Sequence, residues 1–338
     1  MSFSVLNLKY LGGGGFADVY LGTRSDTGEQ VVVKYLREPQ IPGAKKAFMR
    51  EWKILSRNLH RKLMNVLGAN LEAEKPFYVM PYVEGGSLVK WAGRLDDRQI
   101  LDFALQLADV ISALHDANVV HGDIKPDNTL VSGSDIRLGD PLGNGSGCTI
   151  SFGTKLGGTP GYWAPEIAAG NPISKAGDCY SYGATLYHLA TGLVPVDGRS
   201  LDPLPYRPSS QGNGLRDVIL AACRLDPSQR PTMADIRAYL MKSLLAQPKQ
   251  KSAVPAQNAR LVAAKIPKPP VPRNWHAQNP QPAPVFKFEP AYKPKPVQQV
   301  APAFVAKPDK EDSPWGTILV LGGLALLGMA IANSKGKG

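Results

Sequence analysis

Cysteine is nearly absent from this 338-residue chain. Cys148, Cys179 and Cys223 are widely spaced and odd in number, so they supply no disulfide framework and match no zinc-ligand pattern. They read as reduced cytosolic thiols. No internal repeat is visible, and no signal-peptide pattern opens the chain. The net charge is +11, but the excess is local. Residues 1–246 carry 26 Lys and Arg against 24 Asp and Glu, whereas residues 247–312 carry 11 against 4 and the last six residues add two lysines. A nucleic-acid-binding core is therefore not implied.

Composition divides the chain. Residues 247–312 hold 14 of its 30 prolines, a density that excludes helix and sheet and favours an extended, solvated linker. Its Lys-Pro clusters at 265–273 and 293–296 have two open readings: contact with anionic lipid headgroups, or simple solubility. Trp275, Phe286, Phe288 and Tyr292 stand out there, either as a short partner motif or as scattered aromatics without a role. Residues Trp315 to Ala332 then run without a charge. As a helix of ~1.5 Å per residue they would just cross a bilayer core, with Trp315 at the interface and the basic tail 333–338 beyond. The competing reading is an apolar C-terminal helix packed on the preceding domain.

The richest stretch is His121-Gly-Asp-Ile-Lys-Pro-Asp-Asn128. Phosphoryl transfer from ATP needs a carboxylate to orient a hydroxyl, a cation near the γ-phosphate and an amide oxygen for Mg²⁺. Asp123, Lys125 and Asn128 are those three groups in close succession. Upstream, Leu11 to Tyr20 contains four consecutive glycines, which let backbone approach a triphosphate but also suit an ordinary turn. Val31-Val-Val-Lys34 reads as a buried strand ending in a lysine. Ala44 to His60 reads as a helix, with Phe48, Trp52 and Leu55 at helical spacing around Glu51. Phe77 to Leu88 reads as a strand running into a turn. Further motifs are Gly158-Thr-Pro-Gly-Tyr-Trp-Ala-Pro-Glu166, Asp178-Cys-Tyr-Ser-Tyr-Gly183 and Asp226-Pro-Ser-Gln-Arg-Pro231.

Taken together and in this order, the motifs across residues 8–240 resemble those of the Hanks-type Ser/Thr protein kinases of eukaryotes and many bacteria. The resemblance implies an α+β, two-lobed domain over 1–246, with an N-lobe to about 82 and a C-lobe from about 83. It implies ATP and Mg²⁺ as cofactors. Gly12 and Gly14 would fill the first two glycine positions over the phosphates, with Ala17 at the third and Val19 against the adenine. Lys34, paired with Glu51, would hold the α- and β-phosphates. Met80 would be the gatekeeper and Val83 the adenine-edge backbone, with Pro81 where many relatives carry Glu. Asp123 would orient the acceptor hydroxyl, Lys125 would neutralise the transferred group and favour Ser/Thr, and Asn128 and Asp140 would hold the metal. Asp178 would brace the catalytic loop, and Glu166 with Arg230 would form a buried structural pair.

The sequence departs from the pattern twice. Gly122 replaces the arginine that in relatives binds a phosphorylated activation segment, so activity is expected not to need phosphorylation at Thr149, Ser151 or Thr154. Asp-Phe-Gly becomes Asp140-Pro141-Leu142, in which Asp140 keeps the oxygen ligand while Pro141 removes a donor and fixes φ. Leu142 either fills part of the aromatic's slot or the segment is held in one state.

The expectation is a membrane-tethered kinase, its catalytic domain cytosolic, anchored as a single-pass tail anchor through 315–332 and acting on protein Ser/Thr hydroxyls. Tethering would also favour self-association. A nucleotide-binding pseudokinase scaffold and a membrane-bound adaptor recruiting partners through its linker are the alternatives.

Overall fold

The computed structural model describes residues 3–13, 17–142, 161–196, 201, 205–206 and 214–245. Gly14, Cys148, Thr149, Ser151, Thr154, the linker at 247–312 and the apolar run at 315–332 lie outside these residues. Among the described residues no helix is long and apolar enough to cross a membrane.

Strands rich in valine, leucine and aromatics build an antiparallel sheet from β1 (Val5–Gly13), β2 (Ala17–Arg24), β3 (Gln30–Leu36), β4 (Gly68–Asn70) and β5 (Phe77–Pro81), in the order β1-β2-β3-β5-β4. Alternation sorts their side chains between two faces. Val31 and Val33 of β3 join Phe77 and Val79 of β5, with Phe3 and Val5, in one apolar cluster. Each such side chain contributes about 1.5–3 kcal/mol when fully buried. The alternate positions belong to the opposite face, where Lys34 pairs across the sheet with Tyr78, and Val32 with Met80. Helix α1 (Ala44–Leu55) packs on that face, its Phe48 ring centroid 4.9 Å from that of Tyr78.

Helix α1 ends five residues before the His60 expected from its periodicity. The Ser56 hydroxyl donates back to the Trp52 carbonyl, and Asn58 adopts a left-handed φ of 49°. Serine and asparagine satisfy the last turn locally and stop the helix.

The remaining described residues are mainly helical. Helix α2 (Asp97–Asp116) opens with a reciprocal capping box between Asp96 and Gln99, which satisfies two amide donors at its start. The short strands β6 (Thr129–Ser132) and β7 (Asp135–Leu138) pair as a hairpin. Helices α3 (Pro165–Ala168), α4 (Lys175–Thr191), α5 (Leu215–Ala222) and α6 (Met233–Leu245) follow. Every residue of α4 from Gly177 to Leu189 is buried, which makes it the central helix of this lobe. Gly183 allows the approach of α5: a Cβ there would lie 2.6 Å from Cys223 Sγ and 2.8 Å from Ala222 Cβ. Cys179 and Cys223 are buried and unbridged, and burial pushes the Cys179 thiol up to about 12.

The Glu166–Arg230 pair is present and bidentate, at 2.6 and 2.8 Å. The guanidinium, wholly buried, also donates to the carbonyls of Ala176, Arg224 and Leu225, so it joins α3 to α4 and to the chain before α6. Arg230→Ala should therefore lower unfolding stability by about 3–5 kcal/mol, because Glu166 and three carbonyls lose their donor. Denaturant titration checks this, and a loss of only about 0–1 kcal/mol would class the pair with ordinary surface bridges.

Candidate active site

Two clusters of charge face each other across the fold. The first lies under the sheet. Lys34, near the end of β3, reaches Glu51 Oε1 at 2.6 Å and Asp140 Oδ1 at 2.7 Å. Tyr78 donates its hydroxyl to the same Glu51 oxygen at 2.7 Å. Val19 pairs across the sheet with Lys34 on one side and with Gly12 on the other, so the two expected nucleotide contacts follow the lysine in one row across three strands. A Cβ on Gly12 would meet nothing within 4 Å, which leaves open space above that strand. Met80 and Val83 are buried, and the Val83 carbonyl accepts from Gly86 N–H in the turn that leaves β5.

The second cluster belongs to the loop before β6. Lys125 Nζ lies 2.8 and 3.1 Å from the two oxygens of Asp123. Asn128 Nδ2 donates to the Asp123 carbonyl at 2.8 Å and to its carboxylate at 2.7 Å. With its amide nitrogen so committed, Asn128 presents Oδ1 as an acceptor.

Backbone ties join the clusters. His121 sits at the centre, wholly buried: its Nδ1 accepts from Asp123 N–H at 3.2 Å and its Nε2 lies 2.9 Å from the Gly139 carbonyl. This pattern assigns a neutral ring with the proton on Nε2, and burial lowers its pKa in agreement. Gly139 N–H donates to the Asn128 carbonyl at 2.9 Å, one residue before Asp140. The Asp178 carboxylate, in the first turn of α4, accepts from His121 N–H and Gly122 N–H, both at 2.8 Å, and lies 2.9 Å from His115 Nε2. The brace expected of Asp178 is thus in place, with His115 as an added partner.

Electrostatics separates the two carboxylates on Lys34. Burial pushes the Glu51 carboxyl up to about 7, against the pull of Lys34. Burial acts upward on Asp140 too, but Lys34 outweighs it there and holds the carboxyl well below the usual range. The difference follows from the hydrogen bond between the two carboxyls, which raises Glu51 and lowers Asp140. Lys34 remains charged, because the two carboxylates overcome the cost of its burial.

The two departures from the pattern touch each other. Gly122 has a φ of 82°, and a Cβ there would lie 2.9 Å from Ile173 Cδ1 and 3.4 Å from Leu142 Cβ. Leu142 N–H donates to the His121 carbonyl at 2.7 Å. Leu142 therefore packs on the catalytic loop, over the position from which an arginine side chain would leave. Pro141 does not displace Asp140, whose left-handed φ of 55° costs about 1–2 kcal/mol in a non-glycine residue.

Asn128 and Asp140 offer an amide oxygen and a carboxylate, hard donors that suit Mg²⁺ held by one or two protein groups together with substrate phosphates. Tyr78 and His115 carry no signal in the linear motifs, and His121 opens one of them without its role being read there. Tyr78 becomes visible only through the register that sets it opposite Lys34.

This fold and site define a protein kinase domain. The protein kinase domain family profile matches residues 6–241, and the chain belongs to that family. It is 30% identical over 257 residues to the serine/threonine-protein kinase pkn2 of Myxococcus xanthus, covering 67% of this chain and 31% of that protein. It is 29% identical to the serine/threonine-protein kinase PrkC of Bacillus subtilis, covering 68% and 38%. With the serine/threonine-protein kinase PkaA of Streptomyces coelicolor the identity is 33%, over 62% and 42%. The chain thus spans between 31% and 42% of the length of these relatives.

The Glu51 shift has a stability consequence. Its folded value of about 7 lies above the ordinary 4.5, so the folded state binds this proton more tightly. The stabilisation is complete below about 4.5 and is lost as pH rises to about 7. Glu51→Gln should therefore lose less stability than wild type across that interval, measured by denaturant midpoints. An equal decline in both proteins would show that Glu51 ionises as an exposed carboxylate does.

Proposed function

We propose that this chain is an ATP-dependent protein serine/threonine kinase that transfers the γ-phosphoryl group to protein hydroxyls. The observation that carries the reading is the pair of linked clusters, Lys34 with Glu51 and Asp140, and Asp123 with Lys125 and Asn128. Lys34 holds the α- and β-phosphates while Glu51 fixes its ammonium. Asp123 accepts a hydrogen bond from the acceptor hydroxyl, turns its oxygen toward the γ-phosphorus and takes the proton as the new P–O bond forms. Lys125 offsets negative charge on the transferred group, and ADP departs. Asn128 and Asp140 would hold Mg²⁺, which would supply charge neutralisation on the phosphate oxygens. That Asp140 stays on Lys34 despite Pro141 favours an active enzyme over a scaffold. The uncharged run at 315–332 supports membrane tethering, with the catalytic domain on the cytosolic side where ATP is.

The full chain with γ-labelled ATP and Mg²⁺ should label itself or a generic Ser/Thr acceptor, and Asp123→Ala or Asp140→Ala should abolish the label. Nucleotide binding without any transfer would favour the scaffold.

Gly122 and the packing of Leu142 and Ile173 beside it support activity without segment phosphorylation. Phosphatase-treated protein should turn over as untreated protein does, and the combined alanine variant at Thr149, Ser151 and Thr154 should do the same. A large loss in either would require a phosphate anchor elsewhere.

A further inference from the structure

Tyr78 is the wholly buried residue that faces Lys34 across the β3–β5 pair. Its hydroxyl and the Lys34 ammonium share one acceptor, Glu51 Oε1, at 2.7 and 2.6 Å. Its ring lies against Phe48, one helical turn before Glu51 on α1, and its centroid is 6.0 Å from Lys34 Nζ. A phenylalanine would fill the same space without the cost of burying a hydroxyl, so the oxygen is accounted for by the carboxylate it serves. Burial raises the Tyr78 phenol well above its ordinary value, which keeps it a donor wherever the protein is folded.

We propose that Tyr78 is a positioning residue for phosphoryl transfer, which by donating to Glu51 keeps that carboxylate turned toward Lys34. The inference rests on reading Lys34 as the lysine that holds the ATP phosphates. It also gives the chain a built-in device for seating α1. Gly122 removes the arginine through which a phosphorylated segment could order the site, whereas a hydroxyl inside the sheet acts without modification.

The test is Tyr78→Phe in the full chain, alone and with Glu51→Gln. A hydrogen bond to a charged group is worth enough to predict about a tenfold fall in kcat/KM for ATP near neutral pH. In the Glu51→Gln background the same substitution should cost little, because the carboxylate through which the tyrosine acts is gone. No deficit, or an equal loss in both backgrounds, would assign Tyr78 to packing alone and overturn the proposal. Wild-type turnover in the same assay separates this result from failure of the kinase reading. If wild type transfers no phosphoryl group, thermal stabilisation by ATP still reports on Lys34: Tyr78→Phe should weaken it, and unchanged stabilisation overturns the proposal.

Discussion

The carboxylate of Asp178 stands in the first turn of a helix buried on every side, and it accepts from the amides of His121 and Gly122 there. Both reacting clusters hang from this contact. His121, fixed by its amide, orders Asp123 on one side through Nδ1 and Gly139 on the other through Nε2. Gly139 precedes Asp140, Asp140 meets Lys34, and Lys34 meets Glu51 on α1. A central helix with no exposed face thus positions a lysine on a distant sheet through the side chains of Asp178, His121 and Asp140 and the backbone of Gly139. Loss of the Asp178 oxygens would strand two buried amides at about 1–3 kcal/mol each. The damage to the site would come from the lost register rather than from that energy.

Gly122, Asp140 and Leu142 are best understood as one local solution. A positive φ at residue 122 suits glycine, and the absence of a side chain there leaves room for Leu142 and Ile173. Leu142 can settle there because its amide is fastened to the His121 carbonyl. Pro141 between them offers no donor and needs none. A residue before proline is also disfavoured in the right-handed helical region, which removes one alternative conformation of Asp140. The segment thereby presents the Asp140 carboxylate with less conformational freedom to lose, and a site that loses less on ordering is better prepared for a ligand.

Much of this was legible in the sequence because it is local. Asp123, Lys125 and Asn128 lie within one loop, and their spacing brings them to one place whatever surrounds them. Lys34 and Glu51 were legible through the resemblance, since nothing local joins a strand end to a helix seventeen residues on. Tyr78 was not. Its role depends on which β5 residue faces Lys34 and on where α1 docks, and a shift of one residue would have turned it to the other face of the sheet. The end of α1 was missed for a different reason. Hydrophobic periodicity continues past Leu55, whereas Ser56 and Asn58 stop the helix by hydrogen bonding and backbone preference. Leu142 could be placed only once the left-handed turn at Asp140 was known.

Lys34 carries one positive charge between two carboxylates, and the two are not equivalent. Glu51 is the more buried, is held by Tyr78 as well, and bears the cost of ionisation. Asp140 is half exposed and stays ionised easily. An arriving anionic ligand competes for the ammonium with whichever carboxylate is less firmly held. Asp140 is the exchangeable partner, since its side chain is half exposed and water can reach it. Glu51 is the partner that remains, because a buried carboxylate stripped of its lysine would sooner take a proton than stay charged. The asymmetry between one anchored and one releasable carboxylate lets a single lysine hold the site together while one of its two partners can give way to an anion.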